Sequence, residues 1–350
     1  MVGALLLVLI AACERGGSES SYSPLTAPAL AMTPPAPPPA AEAPQPTAAV
    51  PAPPPELLAG TFMLQEDILR GLARTQLHRL HPVGSTSTVF RSELDVGFRA
   101  AFKTATRLRP AAALNEVAAY RLARCLGLSN VPPAVLRRVN KEILRQALDK
   151  SSVGRWPELE PRMLVDRAGF VEGALIFWID ELRELGLDSP LELTRILESL
   201  QIDGELPPER EALAQQVSTL LAFDWLIGNW DRWSGGNLRG DASGKVLYMR
   251  DHDAAFAARI NESLQRRMLE PMQQTQRYSR AFVRALRGLT RESLQRELER
   301  DPEYAARLDT HRPLLDAQAV DQLFDRRDTL LSHLSALIDE FGEERVLSFP

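Results

Sequence analysis

The densest cluster of polar and aromatic residues in the chain is Asp224-Trp225-Leu226-Ile227-Gly228-Asn229-Trp230-Asp231-Arg232-Trp233-Ser234-Gly235-Gly236-Asn237-Leu238. It is followed by Leu247-Tyr248-Met249-Arg250-Asp251-His252-Asp253-Ala254-Ala255-Phe256. Upstream, Pro207-Pro208 opens a helix through Leu213, Val217, Leu220, Leu221 and Trp225, and Gly228-Asn229 stops it. The helix therefore runs into a polar loop that carries Asp231, Arg232 and Asn237. A short strand over 245–250 then delivers Asp251 into a turn. Phosphoryl transfer needs this inventory. One carboxylate orients or deprotonates the attacking hydroxyl, and a separate carboxylate with an amide oxygen holds the divalent metal that bridges the phosphates.

Before this cluster the period changes several times. Leu64, Ile68, Leu72, Leu77 and Leu80 predict a leading helix over 62–80. Gly84-Ser85-Thr86-Ser87-Thr88 is a turn of small residues. Val89 to Glu93 and Phe98 to Lys103 read as strands on either side of a second turn. Pro110 precedes a helix over 112–126, with Leu114, Val117, Ala118, Leu122 and Cys125 as its apolar stripe and Gly127 as its stop. Extended segments follow at 134–138, 162–166 and 171–179, the last continuously apolar and so buried. From Ser189 onward the pattern is mostly helical. Strands first and helices later predict an α+β fold of two lobes, a small mixed one over 57–180 and a larger, mainly helical one over 181–350.

The run Asn229-x-Asp231-Arg232 with a downstream Asp251-x-x-x-x-Phe256 resembles the catalytic and metal loops of atypical kinases. The nearest likenesses are the phosphatidylinositol 3-/4-kinase-like group, the HipA-type kinases and the Golgi casein kinase family of secreted kinases. The resemblance implies a bilobal protein-kinase-like fold, with ATP and Mg²⁺ or Mn²⁺ bound between the lobes. It gives Asp231 the catalytic role and makes Asn237 and Asp251 metal ligands. The N-terminal half fits the same order. Ala101 and Lys103 share one strand face, which leaves room for adenine and places an ammonium at the phosphates. Glu116 lies off the apolar stripe of the next helix, free to pair with Lys103 as such a helix Glu does in kinases. Gly84 and Ser85 open a turn whose backbone N–H groups and hydroxyls would cover the phosphates.

Taken singly, each feature has a plainer reading. A Lys ending a strand is usually a solvated edge residue, a helix Glu sits on the wet face, and Asp231 or Asp251 can be a turn former. The ordered set Gly84, Lys103, Glu116, Asp231, Asn237 and Asp251 is what points to a kinase-like fold. Two departures stand out. Asn237 lies six residues after Asp231 where the related loops place it five after, so Ser234-Gly235-Gly236 would have to absorb one residue. His252-Asp253 replaces the usual Asn-Gly, and Asp253 reads as a second metal carboxylate or, more simply, a solvated turn residue. Arg232 is expected to brace the catalytic loop.

Composition narrows the alternatives. A formal charge of -5 leaves no basic footprint for nucleic acid. Two cysteines and five scattered histidines give no disulfide scaffold and no zinc motif. Val2 to Ala12 is too short and too cleanly apolar for anything but a signal-peptide core or a buried strand. Ile10-Ala11-Ala12-Cys13 resembles a bacterial lipobox, although no Lys or Arg precedes the apolar run. Half of the 26 prolines fall between Pro24 and Pro55, a polyproline-prone stretch that cannot close a core. The expectation is a signal peptide over 1–12, lipidated Cys13 heading a disordered tether over 13–56, and a domain held at a bacterial cell envelope. The expected activity is transfer of the ATP γ-phosphoryl group to a hydroxyl of a protein, glycan or lipid. The alternative is an inactive, pseudokinase-like binding module on the same anchor.

Overall fold

A computed structural model describes residues 56–84, 88–234, 236–308 and 312–350. Ser85, Cys13 and the signal-peptide and tether readings before residue 56 lie outside the described residues. The chain opens with α1 (Gln65–Arg74), then β1 (Leu77–Val83), β2 (Val89–Leu94) and β3 (Arg99–Thr104). Next come α2 (Ala112–Cys125), β4 (Ala134–Asn140), α3 (Lys141–Ala147), α4 (Trp156–Leu159) and β5 (Phe170–Phe177). These strands form one antiparallel sheet in the order β1-β2-β3-β5-β4. The second half holds β6 (Arg183–Glu184), α5 (Pro190–Ser199), α6 (Pro208–Ile227), β7 (Leu238–Gly240) and β8 (Leu247–Met249). It ends in α7 (Glu262–Gln274), α8 (Arg280–Gly288), α9 (Arg291–Leu298), α10 (Tyr304–Leu308), α11 (Ala317–Phe341) and α12 (Glu343–Val346). The architecture is the expected α+β one: a five-stranded sheet with α1 and α2, and a helical half carrying a small β6-β7-β8 sheet. Among the described residues no helix is long and apolar enough to cross a membrane.

The expected leading helix is cut short. It ends at Arg74, and Leu77 and Leu80 belong to β1. Helical spacing misleads here because β1 carries a bulge between His78 and His81, where Arg79 takes a φ of 46°. An inserted residue lets positions three apart face the same side of a strand, so both leucines are buried. The segment 162–166 is no ladder strand. It makes only isolated bridges, Thr106 with Met163 and Val165 with Val171.

Lys103 sits on an inner strand. It faces Val89 on β2 and Ala174 on β5, so the solvated-edge reading fails. Phe102, pointing the other way, is fully buried. Helix α2 is buried along nearly its whole length rather than along one stripe. The sheet covers one side of it and α9 the other. Arg121 on α2 reaches Glu297 on α9 at 3.3 Å, and Asp301 just beyond accepts the Leu136 N–H of β4 at 3.1 Å. Glu116, toward the other end of the helix, is buried against Lys103 of β3 rather than on a wet face. Cys125 ends α2 half-buried.

Candidate active site

The site starts where α6 stops. Gly228 takes the left-handed conformation, φ 66°, that ends helices. Its N–H donates to Trp225 O at 3.2 Å and the Asn229 N–H to Asp224 O at 2.9 Å, the paired bonds of a Schellman cap. A side chain at 228 would be strained by that φ and would press on Ile260 at 3.0 Å. This stop aims Asn229 to Ser234 out of the helix at a fixed angle.

Below the loop lies a buried bracket. Arg232, almost fully buried, grips Asp224 with two bonds, Nε to Oδ2 at 2.8 Å and Nη2 to Oδ1 at 2.9 Å. It also donates to the Arg250 carbonyl and, at 3.3 Å, to His252 Nδ1. His252 Nε2 lies 3.1 Å from Met249 O, so that nitrogen carries the proton and Nδ1 accepts. Burial, reinforced by the Arg232 charge, pushes the His252 imidazole down to about 3, so it is neutral. Burial works against the Arg232 charge as well, but Asp224 more than offsets it and the guanidinium is raised. The expected brace is therefore present. It ties the Asp231 loop to the Asp251 loop through one guanidinium.

The β7–β8 hairpin supplies the second constraint. Leu238 pairs with Met249, so Asn237 and Asp251 leave the hairpin at the same end. The Asn237 amide donates to Asp231 O at 3.1 Å and to Ser234 Oγ at 3.4 Å, so the six-residue spacing keeps Asn237 against the Asp231 loop. Those bonds use its Nδ2, so the carbonyl oxygen is the atom with which Asn237 could meet a cation. Asn229 donates to Asp251 O at 3.3 Å, and its own buried Oδ1 has no partner. Asp251 itself has φ 65°, a conformation Asp tolerates better than most residues but which still stores strain at this turn.

Across the cleft, Lys103 Nζ meets three carboxylates: Glu116 at 2.7 Å, Asp253 at 3.0 Å, and Asp251 in a short contact. Burial alone would lower the Lys103 ammonium; Glu116, Asp251 and Asp253 together raise it well above the ordinary lysine range. Burial would raise the Asp251 carboxyl, but the Lys103 charge and hydrogen bond, with Arg250 and Arg232 behind them, hold it at about 2. Asp251 is thus ionised. On the Lys103 face of the sheet, Val89, Ala101 and Ile176 are half-exposed and apolar, a surface on which a flat ring can lie. Gly84, φ 79°, opens the β1–β2 turn in a conformation that favours glycine.

Asp253 corrects the sequence reading. It is buried, not solvated, and its carboxylate bonds Lys103 and Arg109 while its carbonyl accepts from Asn115 at 2.9 Å. Arg109, in the β3–α2 loop, also lies 3.6 Å from Asp231. Sequence reasoning missed it, and its only local signal is the Arg107-Leu108-Arg109 run before Pro110. Asp231 stays a quarter exposed at the cleft. The oxygen donors of Asp251 and Asn237 suit a hard divalent ion such as Mg²⁺ or Mn²⁺. Among the described residues no three His, Cys, Asp or Glu side chains cage a metal by themselves. An ion here would complete its shell with phosphates and water.

No protein-family model matches the chain, and no curated protein matches its sequence. Solved structures do match. A Golgi casein kinase superposes with a TM-score of 0.60 at 15% identity, over 81% of this chain and 77% of that one. The Golgi casein kinase with Mn/ADP bound gives 0.60 and 15%, over 81% and 78%. Hydra Fam20 with sugar gives 0.59 and 18%, over 80% and 91%. The chain therefore has an atypical kinase-like fold.

Proposed function

We propose that the protein is a phosphotransferase that moves the γ-phosphoryl group of ATP to a hydroxyl on a protein, glycan or lipid. The observation that carries this reading is the meeting of Lys103, Glu116 and Asp251 at one ammonium, with Asp231 and Asn237 held beside them. The kinase-like fold, and a neighbour solved with Mn/ADP, support it.

In this reading the base lies against Val89, Ala101 and Ile176. Lys103, held by Glu116, contacts the phosphates, and Gly84 and Ser85 are the residues assigned to cover them. Asp251 and Asn237 would hold the divalent ion, which would supply positive charge to offset that of the phosphates. Asp231 accepts the hydroxyl proton as the acceptor oxygen attacks the γ-phosphorus. The bond to the β–γ bridging oxygen breaks, and its electron pair leaves on ADP. Arg232 and His252 keep the two loops in register and touch no reactant.

The N-terminal reading belongs to the same proposal. Residues 1–12 are a signal peptide, and Cys13 anchors an envelope protein by lipid through a tether ending at 56. The lobes 57–180 and 181–350 then share the nucleotide between them. Titration of the purified protein with ADP, with and without Mn²⁺, tests the core of the reading. Metal-dependent binding is expected, and no binding under either condition would overturn it.

A further inference from the structure

Arg109 is not explained by the roles given so far. Its guanidinium crosses the cleft from the β3–α2 loop and stands between two carboxylates. Nη1 bonds Asp253, which also holds Lys103 on the phosphate side. Nη2 faces Asp231 Oδ2, on the acceptor side, at 3.6 Å. That distance is too long for a hydrogen bond. The Nη2 donors are therefore aimed into the gap between the residue nearest the phosphates and the residue that takes the hydroxyl proton. The loop is held for this purpose. Thr106 N donates to Arg109 O at 3.3 Å, Arg109 N to Thr106 Oγ1 at 3.1 Å, and Ala112 N to Arg109 O at 3.2 Å.

A bracing role explains this poorly. Asp253 is already secured by Lys103 and, through its carbonyl, by Asn115. The Arg109 side chain is 42% exposed, and a brace on Asp253 uses only Nη1 and leaves Nη2 without a hydrogen bond. A planar fork of donors fixed in the gap matches instead the charge that spreads over the non-bridging oxygens of a phosphoryl group in flight.

We propose that Arg109 is an arginine finger supplied in cis, with Asp253 as the residue that positions it. The inference rests on the kinase reading. As the acceptor oxygen bonds to phosphorus and the bond to the ADP oxygen breaks, the hydroxyl proton goes to Asp231. Arg109 gives up no proton. It donates hydrogen bonds to the non-bridging oxygens of the transferred group, a contact stronger in the transition state than before it. In-cis and in-trans fingers are worth about 10³–10⁵ in turnover.

The test measures affinity for Mn·ADP with and without fluoroaluminate, a mimic of the phosphoryl group in transfer, on wild type, Arg109→Ala and Arg109→Lys. Wild type should bind ADP at least about 100-fold more tightly when fluoroaluminate is present. Arg109→Ala should keep Mn·ADP affinity within about twofold and lose that gain. Arg109→Lys should recover only part of it, because an ammonium lacks the fork. An equal gain in Arg109→Ala overturns the finger and leaves the kinase reading standing. A changed Mn·ADP affinity with the gain intact overturns it too, in favour of a brace on Asp253. If wild type binds Mn·ADP but gains nothing from fluoroaluminate, the phosphotransferase reading fails and the finger with it.

Discussion

Lys103→Met removes one charge from the point where three carboxylates meet. The three are not equally exposed to the loss. Asp253 keeps Arg109, and Asp251, a third exposed, can turn toward water. Glu116 has neither escape: it is 4% exposed, and Lys103 is its only ion-pair partner among the described residues. Removing one member of a buried pair costs about 3–5 kcal/mol, because the other is stranded. With a single carboxylate fully stranded, the lower end applies, about 3 kcal/mol. Adding Glu116→Gln deletes the stranded charge and should restore about 2 kcal/mol of that loss, a strong coupling rather than an additive cost. The pH dependence gives a second handle. In the wild type Asp251 is held at about 2, below its ordinary 3.8. Its stabilising share is therefore present above about pH 4 and lost as pH falls toward 2. Urea denaturation of the purified single and double variants reads all of this from midpoints at constant slope. A Lys103→Met protein as stable as wild type, or a double variant showing the sum of the two costs, would refute the reasoning.

The other expectations concern the turn after β8 and the N-terminus. Asp251→Asn deletes a metal donor's charge, so Mn²⁺-dependent ADP affinity and turnover should fall together, by about tenfold or more, while metal-free affinity stays; calorimetry with and without Mn²⁺ checks it. His252→Gln should cost about 1–3 kcal/mol at pH 7 by disturbing buried hydrogen bonds. Because the folded imidazole is held at about 3 while the unfolded one titrates near 6.5, wild-type stability falls as pH drops through that window. The gap to His252→Gln should therefore narrow from pH 7 to pH 4 in denaturation curves. Cys13→Ser should abolish incorporation of labelled palmitate and release the protein from the membrane fraction; unchanged labelling and partition would remove the anchor from the account.

The parts of the fold carried by long, unambiguous periods were legible. The helix from Pro208 to Ile227 and the glycine that stops it are written in local sequence, and so is the strand that carries Lys103. The β1 bulge was not legible, since a slip of one residue imitates helical spacing at Leu77 and Leu80. Strand β7 was missed because three residues carry no period, and only pairing with β8 makes Leu238–Gly240 a strand. The burial of Glu116 depends on Lys103 of β3 and on the turn at Asp253, which packs on the neighbouring Asn115 from far along the chain and which no stripe on α2 can announce. Asp253 was misread for the same reason. A carboxylate in a turn looks solvated until the cations that reach it, Lys103 on β3 and Arg109 in the loop after it, arrive from a distant part of the chain.

The central claim is that Asp231 serves phosphoryl transfer in a cleft built to hold a nucleotide. It is tested most directly by incubating purified wild type and Asp231→Ala with Mn²⁺ and ATP labelled at the γ-phosphate, with Mn·ATP affinity measured on both. The account predicts label transfer by wild type, a fall of about 10²-fold or more in the variant, and nearly equal affinities. Tight Mn·ATP binding with no transfer above background in either protein would contradict it and leave a nucleotide-binding scaffold.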